Sequence, residues 1–114
     1  MQFSAKESDG VVVLHLDGDL IGENNGPQLL EKTSDYIIKG VKNAIINLSG
    51  VRYINSSGIG VLITILTKFR NSGGEVFLIN PSEHVKKLLI ITKLEAIFSI
   101  EQTLDEAMAK IKNT

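Results

Sequence analysis

The sequence predicts an α/β fold: a mixed, mostly parallel small β-sheet that opens with an antiparallel N-terminal edge hairpin and carries about four helices. Three observations predict it. Short apolar runs bounded by Gly, Asn and Ser alternate with stretches whose apolar residues recur every three or four positions. The order is two strands, then helix, strand, helix, strand, helix, strand, helix, and strands joined through helices call for parallel crossovers. Asp9-Gly10, a pair suited to a tight hairpin turn, joins the first two runs and makes that pair antiparallel.

Each element has a local reason. Phe3 to Ser8 forms a short edge strand, and Val11 to Leu16 follows with Val12, Leu14 and Leu16 on its core face. Val11, Val13 and His15 face the other way, and His15 has no second ligand at metal spacing. Asp17 to Gly26 is rich in Gly, Asn and acids and reads as a loop, in which Leu20 and Ile21 are the apolar exceptions. Pro27 suits the first turn of a helix running to Lys39, with Leu30, Thr33, Ile37 and Ile38 as its repeating positions, Leu29 and Tyr36 beside them, and Gly40 as its stop. Ala44 to Leu48 is a buried strand.

A second long helix runs from Ser57 to about Asn71 and buries Gly58, Leu62, Ile65, Leu66 and Phe69. Ser72-Gly73-Gly74 ends it, and Glu75 to Asn80 is the next strand. Pro81-Ser82 starts a helix with Val85, Leu88 and Leu89 inward, and Ala96 to Ile100 is a last short strand. Thr103-Leu104-Asp105-Glu106 is a capping box, followed by a helix whose apolar face is Leu104, Ala107, Met108 and Ile111.

Composition excludes several functions. At 114 residues the chain suits one domain, residues 1–114, with one core. With 43% hydrophobic and 22% charged residues it has the make-up of a soluble globular protein. The absence of cysteine removes disulfides, thiolate metal sites and cysteine nucleophiles. A net charge of -1 gives no electrostatic footprint for nucleic acid. No apolar run approaches the roughly 20 residues of a membrane span, and the first residues lack an apolar signal core. The expected location is the cytoplasm.

The chemistry concentrates at Val51 to Gly60, where an apolar segment ends in Asn55-Ser56-Ser57 and opens directly into the second long helix. All three are N-cap types. The same turn offers free N–H groups and a positive dipole end, which suit a phosphate or other oxyanion. A catalytic serine here would need a base, and the only histidines are His15 and His84. Asn-Ser-Ser-Gly-Ile-Gly is not the G-x-S-x-G elbow of hydrolases, lacks the third Gly of a dinucleotide fingerprint, and the chain has no Walker A sequence. No catalytic, cofactor-binding or metal-binding residues are expected. The helix is more apolar than one buried stripe requires: Ile63 stands about 100° from the stripe, with Ile59 between. Such residues mark a partner surface unless a neighbouring helix covers them.

Val51-Arg52-Tyr53-Ile54-Asn55-Ser56-Ser57-Gly58-Ile59-Gly60-Val61-Leu62, preceded by Ala44 to Gly50 and followed by Gly73 to Pro81, resembles the STAS domain. More narrowly, the chain is similar to single-domain bacterial anti-sigma factor antagonists, and Leu16 to Leu20 adds a weaker likeness. The resemblance implies a small sheet with helices packed mainly on one face. It implies phosphorylation at Ser56 and partner contacts from Asp19, Ile21, Asn55, Ser56, Ser57, Gly58, Ile59 and Ile63.

The implied partners are an anti-sigma factor that is itself an ATP-dependent serine kinase, and a serine phosphatase. Neither nucleic acid nor membrane is an expected partner, no cofactor is implied, and the chain would be a monomer or weak dimer and not an enzyme. Two departures stand out. The family's usual Asp before the serine pair is Asn55, and an acid often found in the loop after the second strand is Ile21 here. The alternative is a STAS scaffold subunit of a larger assembly that is never phosphorylated.

Overall fold

The computed structural model describes residues 1–112. The elements run β1 (Gln2–Ser8), β2 (Val11–Asp17), α1 (Gly26–Ile38), β3 (Asn43–Gly50), α2 (Ser56–Asn71), β4 (Glu75–Ile79), α3 (Glu83–Ile91), a 3₁₀ turn (Leu94–Ala96), β5 (Ser99–Glu101) and α4 (Leu104–Lys112). One five-stranded sheet has the order β1-β2-β3-β4-β5. β1 pairs antiparallel with β2, and every other pair is parallel. Asp9 and Gly10 both take positive φ, the backbone that a two-residue hairpin turn needs.

The two faces of the sheet are unequal. Val12, Leu14 and Leu16 of β2, Ala44, Ile46 and Leu48 of β3, and Val76 and Leu78 of β4 share one large core with residues of α1, α2 and α3. Val11, Ile45, Phe77 and Ile79 point to the opposite face, where among the described residues Val13 of β2 and Ala107, Met108 and Ile111 of α4 join them. Three helices thus lie on one face and one on the other, so the expected bias towards a single face holds. The central strands β3 and β4 are buried on both sides, which is why they read as unbroken apolar runs.

Several sequence expectations are corrected. The stripe of α1 is centred on Leu29 and Thr33, both fully buried, while Ile38 is 83% exposed. Three- and four-residue spacing fits two adjacent stripes, and packing against α2 selects the one through Leu29. Leu104 is exposed rather than part of the α4 face, because the helix has only begun there and its inward residue is Ala107. Ala96 does not open the last strand. It ends a 3₁₀ turn that buries Leu94, and β5 begins three residues later. α2 begins at Ser56, one residue before the expected start.

Candidate functional site

The parallel strands β2 and β3 end side by side, and the chain leaving each crosses the start of α2. After β2, Gly18 donates its N–H to Gly50 O and Leu20 donates to Tyr53 O, both at 2.9 Å. Leu20 and Ile54 form an isolated parallel bridge, and Asn55 N donates back to Leu20 O at 3.2 Å. Leu20 is fully buried. The loop after β2 is therefore held like a strand until it meets the helix.

Two glycines let it come closer still. A Cβ on Gly58 would lie 2.3 Å from Leu20 O, and a Cβ on Gly22 would lie 2.5 Å from the Ser57 carbonyl carbon and oxygen. Neither position has room for a side chain, so both glycines are required by close approach and not by φ. This is the contact that places the loop across the first turn of α2.

Within that turn the hydroxyls and amides divide sharply. Asn55 has extended backbone and caps the helix: its Oδ1 accepts from Gly58 N at 2.8 Å. The Gly22 N–H is shared between Ser57 Oγ at 3.1 Å and Asn55 Oδ1 at 3.3 Å. Ser57 Oγ lies 2.7 Å from Glu23 Oε2 and 3.0 Å from Asn55 Oδ1. A hydroxyl has one proton, and the shorter, charge-assisted contact to the carboxylate takes it. The Asn55 amide also reaches Glu23 Oε2 at 3.5 Å.

Hydrogen bonds from the Ser57 hydroxyl, from Glu23's own backbone N–H and from the Asn55 side chain hold the Glu23 carboxyl below its ordinary 4.5, outweighing a desolvation that acts the other way. Glu23 is thus ionised at neutral pH beside a helix start whose first turn contains no acid of its own.

Ser56 is the exception. It is the first residue of α2, it is exposed, and among the described residues its hydroxyl makes no hydrogen bond. Ile59 and Ile63 follow it at three and seven residues, on the same side of the helix. Ile59 is half-buried against the core, and Ile63 is 37% exposed. Among the described residues, Ile63 is one of the large hydrophobic side chains left exposed. Gly60, between them, has open space where a Cβ would be. Ser56, Ile59, Gly60 and Ile63 make an uncharged strip along the outer side of α2.

The remaining candidates are spread around this strip. Ile21 is half-buried in the docked loop, next to Gly22. Asp19 is exposed before the loop docks and, among the described residues, has no hydrogen bond or ion pair to the α2 turn. The loop therefore brings Ile21 towards the serine turn and leaves Asp19 at its margin. Sequence reasoning passed over Glu23 and Gly22. Of the three N-cap types the cap is Asn55, and the Ser57 hydroxyl is committed to Glu23. Among the described residues no group of His, Asp or Glu could hold a metal ion. No histidine bonds to either serine; His84 stacks at a tilt with Tyr53, ring centroids 6.5 Å apart.

Comparison with known proteins places the chain. The family model of the STAS domain matches residues 2–107. A Thermotoga maritima protein described as a candidate anti-sigma factor antagonist is 34% identical over 112 residues, spanning 96% of this chain and 97% of that one. The crystal structure of a Thermotoga maritima protein of that description superposes with a TM-score of 0.88 at 33% identity, covering 96% and 94% of the two chains. The anti-sigma F factor antagonist of Lysinibacillus sphaericus is 28% identical over 102 residues, 89% of this chain and 86% of its own. No described helix is long and apolar enough to cross a membrane. With the family's model spanning the whole sheet, α1 to α3 and the start of α4, the chain belongs to the STAS domain family.

Proposed function

We propose that this protein is an anti-sigma factor antagonist that works as a phosphorylation-switched binding module rather than an enzyme. Its unphosphorylated form binds an anti-sigma factor in the cytoplasm and thereby frees a sigma factor. The anti-sigma factor is also an ATP-dependent serine kinase; it modifies Ser56, and a serine phosphatase resets the cycle. The whole chain acts as one STAS unit, without cofactor, metal, nucleic acid or membrane, and as a monomer or weak dimer. The observation that carries this reading is Ser56 itself: an exposed hydroxyl without a partner among the described residues, at the start of a helix whose outer strip carries Ile59 and Ile63. The antagonist names of the similar Thermotoga and Lysinibacillus proteins point the same way.

The physics of the switch follows from the position. A phosphate on Ser56 adds about -1.5 to -2 charges at neutral pH. The free N–H groups and the dipole of α2 stabilise it there, so the fold survives. A partner docked over Ile59 and Ile63 must instead bury a charged group without a counter-charge. That costs several kcal/mol, against about 8 kcal/mol for a whole micromolar complex. Binding collapses without a conformational change. Asn55 supports this arrangement as well as an Asp would in one respect, since its Oδ1 closes the cap on Gly58.

The test is a pull-down from the native cell with intact-mass analysis of the bait, which reads partner and modification together. The interface is checked with Ile63→Asp. It should change stability by less than about 0.5 kcal/mol and weaken partner binding by about 2 kcal/mol or more. A large loss of thermal midpoint would instead make Ile63 a core residue.

A further inference from the structure

We propose that Glu23 decides which of the two adjacent serines takes the phosphoryl group, by claiming the Ser57 hydroxyl and leaving that of Ser56 free. This rests on the switch reading above. In the transfer, the Ser56 Oγ forms a bond to the γ-phosphorus of a nucleoside triphosphate. The bond from that phosphorus to the bridging oxygen breaks, the nucleoside diphosphate leaves, and the hydroxyl proton passes to a base of the kinase. Ser57 cannot take this part while the loop is docked. Its proton is directed at Glu23 Oε2, 2.7 Å away, and its oxygen accepts from the Gly22 N–H at 3.1 Å.

The product is excluded as well as the reaction. Phosphate oxygens on Ser57 would meet an ionised carboxylate at hydrogen-bond distance with no proton between them, and like charges so placed repel. Gly22 packed on the Ser57 backbone and Gly58 on Leu20 O hold the Glu23 backbone beside the turn, so the exposed carboxylate can move off only by giving up its hydrogen bonds to Ser57 and Asn55. A phosphate on Ser56 meets neither restraint, since that side chain is exposed. Glu23 is therefore a positioning residue. It acts on the choice of acceptor through Ser57, and the two glycines give it that reach.

The experiment needs neither kinase nor partner, so it stands or falls separately from the switch reading. Phosphoserine is installed by amber suppression at position 56 or at position 57, each with Glu23 and with Glu23→Gln. Gln keeps an acceptor oxygen at the same place and removes the charge. Phosphoserine at 56 should leave the thermal midpoint within about 3 °C of the unmodified protein and keep the Gly22 and Gly58 amides protected from hydrogen exchange. Phosphoserine at 57 should lower the midpoint by about 5 °C or more and raise Gly22 exchange at least about tenfold.

The diagnostic result is a change of sign. Glu23→Gln should lower the midpoint of the unmodified protein slightly, yet raise that of the protein phosphorylated at 57. A purely structural role would shift both downward. Ser57→Asp, with a single charge, repeats the comparison if the phosphoserine form does not fold. Equal midpoints for the two phosphoserine proteins overturn the proposal. So does a Glu23→Gln shift of the same sign in modified and unmodified forms, or a failure of every position-57 variant to fold regardless of residue 23.

Discussion

The first turns of α2 and α3 begin in the same way and are built differently. Each follows the carboxyl end of a parallel strand, and each is capped by a short polar side chain: Asn55 Oδ1 accepts from Gly58 N at 2.8 Å, and Ser82 Oγ from Val85 N at 3.2 Å. α3 then supplies its own acid, Glu83, in its first turn, and Lys86 pairs with that acid one turn on. Its third residue, Val85, is a full side chain buried in the core. α2 has no acid in its first turn, a glycine in the corresponding place, and a carboxylate delivered from the loop after β2. One turn finds its acid among its neighbours in sequence; the other receives it through the tertiary fold. The lesson is that the serine turn takes its carboxylate from a distant loop, whereas the α3 turn carries its own and meets the rest of the fold more loosely, through Ser82 Oγ donating to Val51 O at 3.4 Å.

The coupling can be broken at its closest contact first. Gly58→Ala puts a Cβ 2.3 Å from Leu20 O and must push the loop away, which should cost about 3 kcal/mol in a chemical denaturation measurement. Gly60→Ala, two residues along the same helix with open space around its Cβ, should instead stabilise by up to about 1 kcal/mol through helix propensity. If both glycines behave alike, the loop is not packed on the turn as described. Next in size is the cap. Asn55→Ala removes the acceptor of both Gly58 and Gly22 and should cost about 2 kcal/mol, while Ser82→Ala, which loses a local cap, should cost about 1 kcal/mol. Equal losses would mean that the hub role of Asn55 adds nothing to its capping.

The smallest effect is electrostatic and depends on pH. The Glu23 carboxyl is held below its ordinary 4.5, so its contribution is present above that value and is lost as pH falls through the depressed folded-state value. The midpoint gap between wild type and Glu23→Gln should therefore be measurable near neutrality and should close on acidification. A gap that widens in acid would contradict the direction of the shift. Glu83→Gln serves as the control from the turn that carries its own acid.

How much of this was legible in the sequence follows from the same contrast. Local signals carried the element order, the Asp9-Gly10 turn, the Thr103 capping box, whose hydroxyl accepts from Glu106 N, and the alternation of Val11 to Leu16. The exposed Ser56 was legible because it follows from the position of a helix start. The Glu23–Ser57 link was not, since it joins residues 34 apart and Glu23 in a polar loop has no periodic signature. Gly22 and Gly58 read as a loop glycine and a helix-stripe residue, and only the close approach of two backbones shows why side chains are excluded. Leu20 and Ile21, the two apolar residues in that polar loop, were the local hint that the segment docks; Leu20 is fully buried and Ile21 half-buried. The exposed Ile38 was misplaced because periodicity fixes a helix but leaves its rotation to packing.

The central claim is that of two adjacent serines only Ser56 is the switch. The direct measurement is site-resolved mass spectrometry of wild type, Ser56→Ala and Ser57→Ala after incubation with ATP and the serine kinase recovered by pull-down, with a binding isotherm on each product. Phosphate should appear on Ser56 in wild type and in Ser57→Ala, and on neither serine in Ser56→Ala. The phosphorylated products should bind at least about 30-fold more weakly than Ser56→Ala, the equivalent of about 2 kcal/mol. Phosphate on Ser57 in the wild-type chain, or undiminished binding with Ser56 fully modified, would contradict the account.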